Sequence, residues 1–248
     1  GVAVPPLHKG KSYNWGDDVS IVLSEILSHK KVIPYKFSFI HSTNYLCIGS
    51  IIQWYSNSKS IIWGAGLLYY SININKPRKV LAVRGPLTRQ CLLDNDIQCP
   101  EIYGDPALLF PLFYQPKTSI RKYQLGIICH YSELKKREIP KPLSVSEKEI
   151  LFINISQYSK WTDFIDQICS CQCIISSSLH GIIIADAYKV PNIWTSFSNN
   201  KSKDNEFKFQ DYFLSVNKTN ERIALYDDLR YQQELIEYIK NKWVGPQI

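Results

Sequence analysis

Hydrophobic residues recur with helical spacing in three stretches of the chain. The first stretch follows the i, i+3, i+4, i+7, i+8 pattern of one helix face. It consists of Val19, Val22, Leu23, Ile26 and Leu27. Asp17 or Asp18 stands where the N-cap of this helix is expected. The same spacing predicts a second helix over 161–168 and a terminal helix over 229–243.

Short apolar runs of strand length separate these helical stretches. They predict strands at 61–63, 80–83, 101–103, 125–129, 150–155, 173–176 and 192–194. Strands that alternate with helices are typical of an α/β fold. The stretch between 111 and 123 holds two prolines and a basic segment. We therefore predict two Rossmann-like domains with a cleft between them, an N-terminal domain at 1–115 and a C-terminal domain at 116–248.

Composition and charge narrow the range of partners. Apolar types make up 45% of the 248 residues, which is enough for a large core, and the net charge is 29 − 22 = +7. The basic residues are dispersed, whereas a nucleic-acid-binding face concentrates them. We expect an anionic small molecule or an anionic membrane surface as partner, and no nucleic acid.

The length of the apolar runs and the number of cysteines indicate whether the chain is anchored in a membrane and in which redox compartment it lies. The apolar run at 107–113 has seven residues, whereas a bilayer requires about twenty, so we expect no transmembrane segment. Residues 1–6 have neither a basic start nor an apolar stretch, so we expect no signal peptide. Seven cysteines, an odd number, predict free thiols in a reducing compartment.

Three of the cysteines, Cys169, Cys171 and Cys173, alternate along the chain. Alternation within a strand would place all three side chains on one face. Paired zinc ligands are usually separated by two or more residues. We interpret the three cysteines as small buried apolar residues, and we expect no metal.

The most informative segment is an apolar strand that continues through three serines into a small apolar helix. Its turn consists of Ser176, Ser177, Ser178, Leu179, His180 and Gly181. Free N–H groups at a helix N-terminus bind anions, and Gly181 would let a ligand approach the backbone. His180 would then lie beside a bound phosphate. The alternative is an N-cap serine with a partly buried histidine, but the serines and the glycine together favour a functional site.

Two turns in the N-terminal half hold charged groups. Arg84 ends a predicted strand, and Pro86 suits the first position of a helix. The guanidinium would therefore form a bidentate clamp for a carboxylate or phosphate. The Asn-Trp-Gly-Asp turn at 14–17 would place Asp17 against substrate hydroxyls. A solvated surface arginine and a plain turn are the alternatives.

Weaker candidates lie beside other predicted strands. Trp63 and Gly64 precede a second glycine, but no dinucleotide fingerprint extends from them. His130 and Tyr131 follow the strand at 125–129. Lys208 could reach a phosphate, although an exposed lysine is the commoner case.

In this order, the segments resemble the polysaccharide pyruvyl transferase family, and most closely its short bacterial exopolysaccharide members. The resemblance covers about 14–213 and rests on the segments at 14–17, 48–51, 62–66, 82–88, 104–109, 129–131, 175–187 and 208–212. It implies two Rossmann-like domains in a GT-B-like arrangement. It also implies transfer from phosphoenolpyruvate to a sugar of an exopolysaccharide or capsule precursor, which yields a pyruvate ketal and phosphate without a cofactor.

The resemblance also assigns roles to residues. Arg84 and His180 hold the donor or serve catalysis, and Asp17 lies on the acceptor side. Some members have an arginine two residues before the histidine, where this chain has Ser178. Either Lys208 or another cation compensates, or donor binding is weaker. We expect a lipid-linked oligosaccharide as acceptor, with a polymer as the alternative. The expected location is the cytoplasm at the inner face of the membrane, where peripheral contact fits the basic charge.

Ketal formation requires an anion clamp, a general acid and a general base. The predicted donor-binding residues are Arg84, His130, Ser177, Ser178, Leu179, His180, Gly181 and Lys208. The predicted acceptor-binding residues are Asn14, Asp17, Trp63, Gly64 and Tyr131. We assign His180 either to protonation of the donor or to stabilisation of the departing phosphate, and Asp17 is the candidate base. We expect sugar-stacking faces from Trp54, Trp63 and Tyr131.

Two other interpretations stay open. A GT-B sugar-nucleotide glycosyltransferase would share the architecture, although its retaining members often carry two glutamates eight positions apart, a spacing absent among the ten glutamates here. A member that binds glycan without catalysis would keep the fold. The intact Arg84, His180 and Asp17 argue against that second interpretation.

Overall fold

The computed structural model describes residues 14–34, 43–71, 73–117, 120–130, 133, 139, 141–197, 203–218 and 224–247. The predicted acceptor contact Tyr131 lies outside the described residues. Of the helices in the described ranges, none is both long enough and apolar enough to pass through a bilayer.

Two parallel sheets organise the chain. The first consists, in spatial order, of β1 (Asn44–Leu46), β2 (Ser60–Trp63) and β3 (Lys79–Ala82). The second has the order β5-β4-β6-β7-β8, with β4 (Tyr123–Ile128), β5 (Ile150–Ile153), β6 (Cys171–Ser176), β7 (Asn192–Ser196) and β8 (Ala224–Leu225). The parallel pairing confirms the predicted α/β class. The two-domain GT-B-like arrangement remains a prediction.

Crossover connections join the parallel strands, and α-helices lie in the connections β1–β2, β3–β4, β5–β6, β6–β7 and β7–β8. The α-helices are α1 (Trp15–Ser28), α2 (Ile52–Tyr55), α3 (Pro86–Leu93), α4 (Trp161–Cys169), α5 (Leu179–Ala187), α6 (Lys203–Ser215), α7 (Tyr226–Arg230) and α8 (Leu235–Lys242). Short 3₁₀ helices span Pro106–Leu112 and Glu147–Glu149.

Three sequence-based expectations about these elements are wrong. The N-cap position of α1 is Asn14, so Asp17 and Asp18 lie in the first turn, where acidic groups favour the helix dipole. The strand expected at 101–103 is reduced to a single bridge between Val83 and Tyr103. The expected terminal helix is divided into α7 and α8, with a turn between them.

The largest core joins elements from both halves of the chain. Trp15 and Val19 of α1 and Phe110 of the first 3₁₀ helix pack with Phe164 of α4 and Ile183 of α5. Trp15 also donates two hydrogen bonds across the halves, from Nε1 to the Trp161 carbonyl at 2.7 Å and from its backbone N to the Ile155 carbonyl at 3.1 Å. The first turn of α1 is therefore fixed against the five-stranded sheet.

The alternating cysteines do not share one face. Cys169 is the last residue of α4, and Cys171 and Cys173 lie in β6 but join different core clusters. The expectation is wrong because the three positions span the end of a helix and the start of a strand. All seven cysteines are free thiols. Among the described residues, no group of three His, Cys, Asp or Glu side chains is arranged to hold a metal ion.

Candidate active site

Five predicted side chains from both halves of the chain influence one another electrostatically. After burial, the positive charges of Arg84, Lys208 and His130 are the causes that lower the pKa of His180. Asp17 partly offsets the fall in the pKa of Lys208 that burial and Arg84 cause. The structure therefore brings Asp17, Arg84, His130, His180 and Lys208 into one neighbourhood.

His180 lies in the first turn of α5 with an unused ring nitrogen. Its Nε2 is buried and has no hydrogen-bond partner among the described residues. Gly16 packs directly on the ring, because a Cβ built at Gly16 would lie 1.9 Å from Nδ1. Burial, followed by the nearby positive charges, lowers the pKa of His180 to about 3. Without a ligand the side chain is a neutral imidazole, and a bound dianion would favour its protonated form.

Arg84 is 1% exposed and bonds to three protein groups. Nε donates to Asp211 Oδ2 at 3.0 Å, Nη1 to Ser50 Oγ at 2.6 Å, and Nη2 to the Leu67 carbonyl at 2.6 Å. A guanidinium has five N–H groups, so two remain beyond these bonds. Arg84 is thus a fixed structural connector with two N–H groups beyond those that bond to protein.

Asp211 on α6 is the partner of Arg84 that the sequence did not reveal. It is fully buried and also accepts from the backbone N of Thr88 at 2.8 Å and from Thr88 Oγ1 at 2.7 Å. A Cβ at Gly85 would lie 1.9 Å from the Asp211 carbonyl oxygen, so the two backbones touch. The carboxylate therefore joins α6 to the first turn of α3 and fixes the Arg84 side chain.

Lys208 is a second buried cation, one turn before Asp211 on α6. It is 7% exposed, and its Nζ lies 5.6 Å from the centre of the Phe209 ring. In the described part of the chain, no carboxylate is within salt-bridge distance of Nζ. Burial and then Arg84 lower the pKa of Lys208 to about 8, and Asp17 and Glu133 oppose this shift. At neutral pH the ammonium group is available for an anion.

Asp17 faces this cluster from the first turn of α1. Asn14 Nδ2 donates to Asp17 Oδ2 at 2.8 Å. A Cβ at Gly49 would lie 3.6 Å from Asp17 Oδ1, so the loop after β1 passes close to the carboxylate. Burial raises the pKa of Asp17 to about 6, while the Asn14 hydrogen bond opposes the shift. A carboxylate with this pKa can accept a proton near neutral pH.

The serines stabilise the turn before α5. Ser176 Oγ accepts from the backbone N of Ser178 at 3.0 Å and donates to the Ser178 carbonyl at 2.9 Å. Ser177 Oγ accepts from the backbone N of His130 at 2.8 Å and donates to the carboxylate of Glu133. Sequence reasoning missed Glu133, and no motif marks it. At Gly181, the space of a Cβ holds Ser176 Oγ at 2.4 Å, so β6 and α5 pack closely there.

Trp63 and Gly64, the remaining acceptor candidates in the described residues, both pack against other parts of the protein. Trp63 is partly buried against the largest core. Gly64 has φ +89, and a Cβ there would lie 2.2 Å from Pro106 Cγ, so both backbone and packing require glycine.

Asp105 is a further buried carboxyl group in this half of the chain. Burial raises the pKa of Asp105 to about 6, and its Oδ1 accepts from the Ala107 backbone N at 3.0 Å. Asp105 Oδ2 has no partner among the described residues.

The fold and this neighbourhood define an α/β protein with two buried cations, a carboxyl group of raised pKa and a buried imidazole whose Nε2 has no partner in the described part of the chain. A family model described as polysaccharide pyruvyl transferase matches residues 8–199. The chain belongs to this family, which confirms the resemblance drawn from its sequence motifs.

Two further proteins are similar to this chain. "Uncharacterized protein L143" of Acanthamoeba polyphaga mimivirus is 32% identical over 210 residues, which is 83% of this chain and 71% of that protein. A solved structure of the protein KP1_0663 from Klebsiella pneumoniae subsp. pneumoniae NTUH-K2044 is 14% identical, with a TM-score of 0.48. Its match covers 86% of this chain and 90% of that one.

Proposed function

We propose that the protein transfers the enolpyruvyl group of phosphoenolpyruvate to a sugar of an exopolysaccharide or capsule precursor, and that the product is a pyruvate ketal. One observation supports this proposal more strongly than the others do. A buried imidazole, whose Nε2 no described residue contacts by a hydrogen bond, shares its surroundings with two buried cations. A small, doubly acidic substrate is the ligand that best compensates this arrangement.

In the proposed donor complex, the cations share the two acidic groups of phosphoenolpyruvate. Arg84 offers two remaining N–H groups, and Lys208 offers an ammonium group that no described carboxylate neutralises. Lys208 thereby takes the place of the arginine that some family members have where this chain has Ser178. Backbone N–H groups at the start of α5 add hydrogen bonds to the phosphate.

The proposed reaction begins with proton transfer. Bound phosphate favours protonation of His180, which then gives its proton to the methylene carbon of the donor. The π electron pair forms the new C–H bond, and C2 becomes a cationic carbon bonded to the phosphate oxygen. Arg84 and Lys208 stay paired with the carboxylate and phosphate during this step.

Two sugar hydroxyls then complete the ketal. The first attacks C2, and Asp17 accepts its proton. The second hydroxyl forms the other C–O bond as the bond to phosphate breaks, so that the electron pair leaves with phosphate. The proton of the second hydroxyl passes to the departing phosphate. The imidazole is left neutral, as in the free protein, and Asp17 releases its proton to solvent, which balances the proton that His180 took up when the donor bound.

We further propose that the acceptor is a lipid-linked oligosaccharide reached at the inner face of the membrane. The net charge of +7 would favour contact with an anionic surface. Salt would weaken such contact because exposed charges are screened.

The test combines binding with product analysis. Phosphoenolpyruvate should raise the melting temperature of the protein and sugar nucleotides should not. Incubation with phosphoenolpyruvate and a panel of β-linked sugars should release phosphate and add a three-carbon unit, as detected by mass spectrometry. Stabilisation by sugar nucleotides alone would favour a glycosyltransferase. Donor binding without product from any acceptor would favour a protein that binds glycan without catalysis.

A further inference from the structure

An exposed aromatic pair lies at the carboxyl edge of the three-stranded sheet. Trp54 is 50% exposed and Tyr69 is 38% exposed. Their ring centres are 6.4 Å apart with planes at 88°, so the two rings form a corner. Neither ring belongs to a core cluster of the described residues. Exposed aromatic surface of this kind often marks a ligand-binding site.

Hydrogen bonds connect the corner to Arg84. The Ser50 hydroxyl and the Leu67 carbonyl both accept from the guanidinium at 2.6 Å. Trp54 follows Ser50 by four residues, and Tyr69 follows Leu67 by two residues. The two aromatic residues are therefore held near the group that we assign to the donor.

Two more bonds join the segments that carry the rings. The backbone N of Ile52 donates to the Gly66 carbonyl at 3.3 Å. Gln53 Oε1 accepts from the backbone N of Leu68 at 3.2 Å. One backbone–backbone and one backbone–side-chain hydrogen bond thus hold the two segments together without the exposed rings.

The chemistry of the corner suits a neutral sugar. Gln53 precedes Trp54 in the chain, and its buried Nε2 has no hydrogen-bond partner among the described residues, so an amide donor of this segment is unused. Residues 50–54 and 66–70 contain no charged side chain. A sugar ring has an apolar C–H face that packs on an aromatic ring and a rim of hydroxyls that accepts from an amide. The side chains of these two segments therefore supply no counter-charge for a doubly charged donor.

We propose that Trp54 and Tyr69 form a stacking platform for one sugar ring of the saccharide acceptor, and that Gln53 donates to one of its hydroxyls. This inference rests on the proposed function for the identity of the acceptor. The exposed pair takes the sugar-stacking role expected of Trp63, because Trp63 packs against the core.

The test measures saccharide binding separately from donor binding. Methyl β-galactoside, methyl β-glucoside and their β-linked disaccharides serve as probes in saturation-transfer NMR and titration calorimetry. Trp54→Ala and Tyr69→Ala should each weaken binding of the preferred probe about tenfold, and Trp54→Phe should restore part of it. Tyr231→Ala is the matched control, because Tyr231 is 61% exposed and lies in the turn after α7.

The outcomes separate the platform from the proposed reaction. Weaker saccharide binding with an unchanged stabilisation by phosphoenolpyruvate supports the platform. If phosphoenolpyruvate fails to stabilise the wild-type protein while saccharide binding still depends on Trp54, the platform stands and the reaction does not. Equal binding by wild-type protein and both alanine variants, or no binding of any probe to the wild-type protein, overturns the platform.

Discussion

The Arg84 guanidinium and the Asp211 carboxylate are paired at 3.0 Å, although 127 positions separate them in the chain. Both side chains are buried. The pair joins the end of the first sheet to α6 of the C-terminal half. Removal of one member leaves an uncompensated buried charge, which costs far more than the loss of an exposed ion pair.

Asp211→Asn should therefore destabilise the protein strongly. The amide keeps the shape but removes the charge that neutralises Arg84, so the free energy of unfolding should fall by about 3–5 kcal/mol. Urea denaturation measures the change. Glu101→Gln is the control, because Glu101 is largely exposed where it pairs with Arg89 at 3.1 Å. Equal effects of the two substitutions would contradict a structural role for the buried pair.

Arg84→Lys tests whether the same guanidinium also binds the donor. An ammonium group cannot reproduce a planar fork that already serves three protein groups. We expect the KM for phosphoenolpyruvate to rise about tenfold or more, which corresponds to about 1.4 kcal/mol, together with a lower melting temperature. Arg89→Lys on α3 should leave KM unchanged. A lower melting temperature with a normal KM would limit Arg84 to its structural role.

The sequence predicted much of the fold because burial patterns are local. β2, β4, β6, β7 and α4 lie where the apolar spacing placed them. β1 escaped prediction because its three residues, Asn44–Leu46, are too few to show a period. Trp243 has helical spacing, but its indole Nε1 donates to Asp186 Oδ1 at 3.0 Å just after α8. Tertiary hydrogen bonding therefore determines its position.

The site was predictable only in part, because the sequence shows local patterns but not contacts between distant segments. Arg84 and His180 occupy strand-to-helix turns, and short segments of sequence reveal such turns. Asp211 and Glu133 act through partners far away in the chain, and linear spacing contains no sign of those contacts. Asp186 and Asp211 both belong to family segments, but the segments do not reveal their partners, and Asp186 is a buried acceptor for Lys218 Nζ at 2.8 Å.

Asp17→Asn should slow transfer and leave donor binding intact. Burial raises the pKa of Asp17 from 3.8 to about 6, so the base is lost as pH falls through that value. The wild-type rate should therefore have an acidic limb near pH 6, and the variant should lack it. Donor titration by thermal shift is the second measurement. Loss of donor binding in the variant would place Asp17 against phosphoenolpyruvate instead of the acceptor.

The same raised pKa has a consequence for stability. A carboxyl group with a folded pKa above its unfolded value binds protons more tightly when folded, so its contribution is present below about pH 4 and is lost as pH rises through about 6. At pH 7, Asp17→Asn should be more stable than wild type by at most about 3 kcal/mol. The difference should vanish near pH 4. A variant less stable at pH 7 would contradict the raised pKa.

Donor binding should take up a proton at His180. Burial and the neighbouring positive charges lower the pKa of the free imidazole to about 3, so it is neutral at pH 7. A bound dianion favours the protonated form. Calorimetry with phosphoenolpyruvate in buffers of different ionisation enthalpy should show net proton uptake, and His180→Ala should abolish both this uptake and turnover. Uptake that persists in the variant would assign the proton to another group.

Gly16→Ala tests the contact between α1 and the imidazole. A Cβ at this position would lie 1.9 Å from His180 Nδ1, and the backbone of α1 is fixed through Trp15, so the ring must move. We expect kcat to fall toward that of His180→Ala. Gly245→Ala is the control, because the nearest atom to its Cβ would be Trp243 at an ordinary 3.5 Å.

The double variant shows whether the methyl group acts through the imidazole. In His180→Ala the ring is absent and the methyl group fits, so Gly16→Ala should then cost little further stability or activity. The two substitutions should be strongly non-additive, as expected for side chains in direct contact. The contrary result is that Gly16→Ala lowers stability and activity as much in the His180→Ala background as in wild type. That result would place the steric clash of the methyl group at the backbone of α5, and Gly16 would not set the position of the ring.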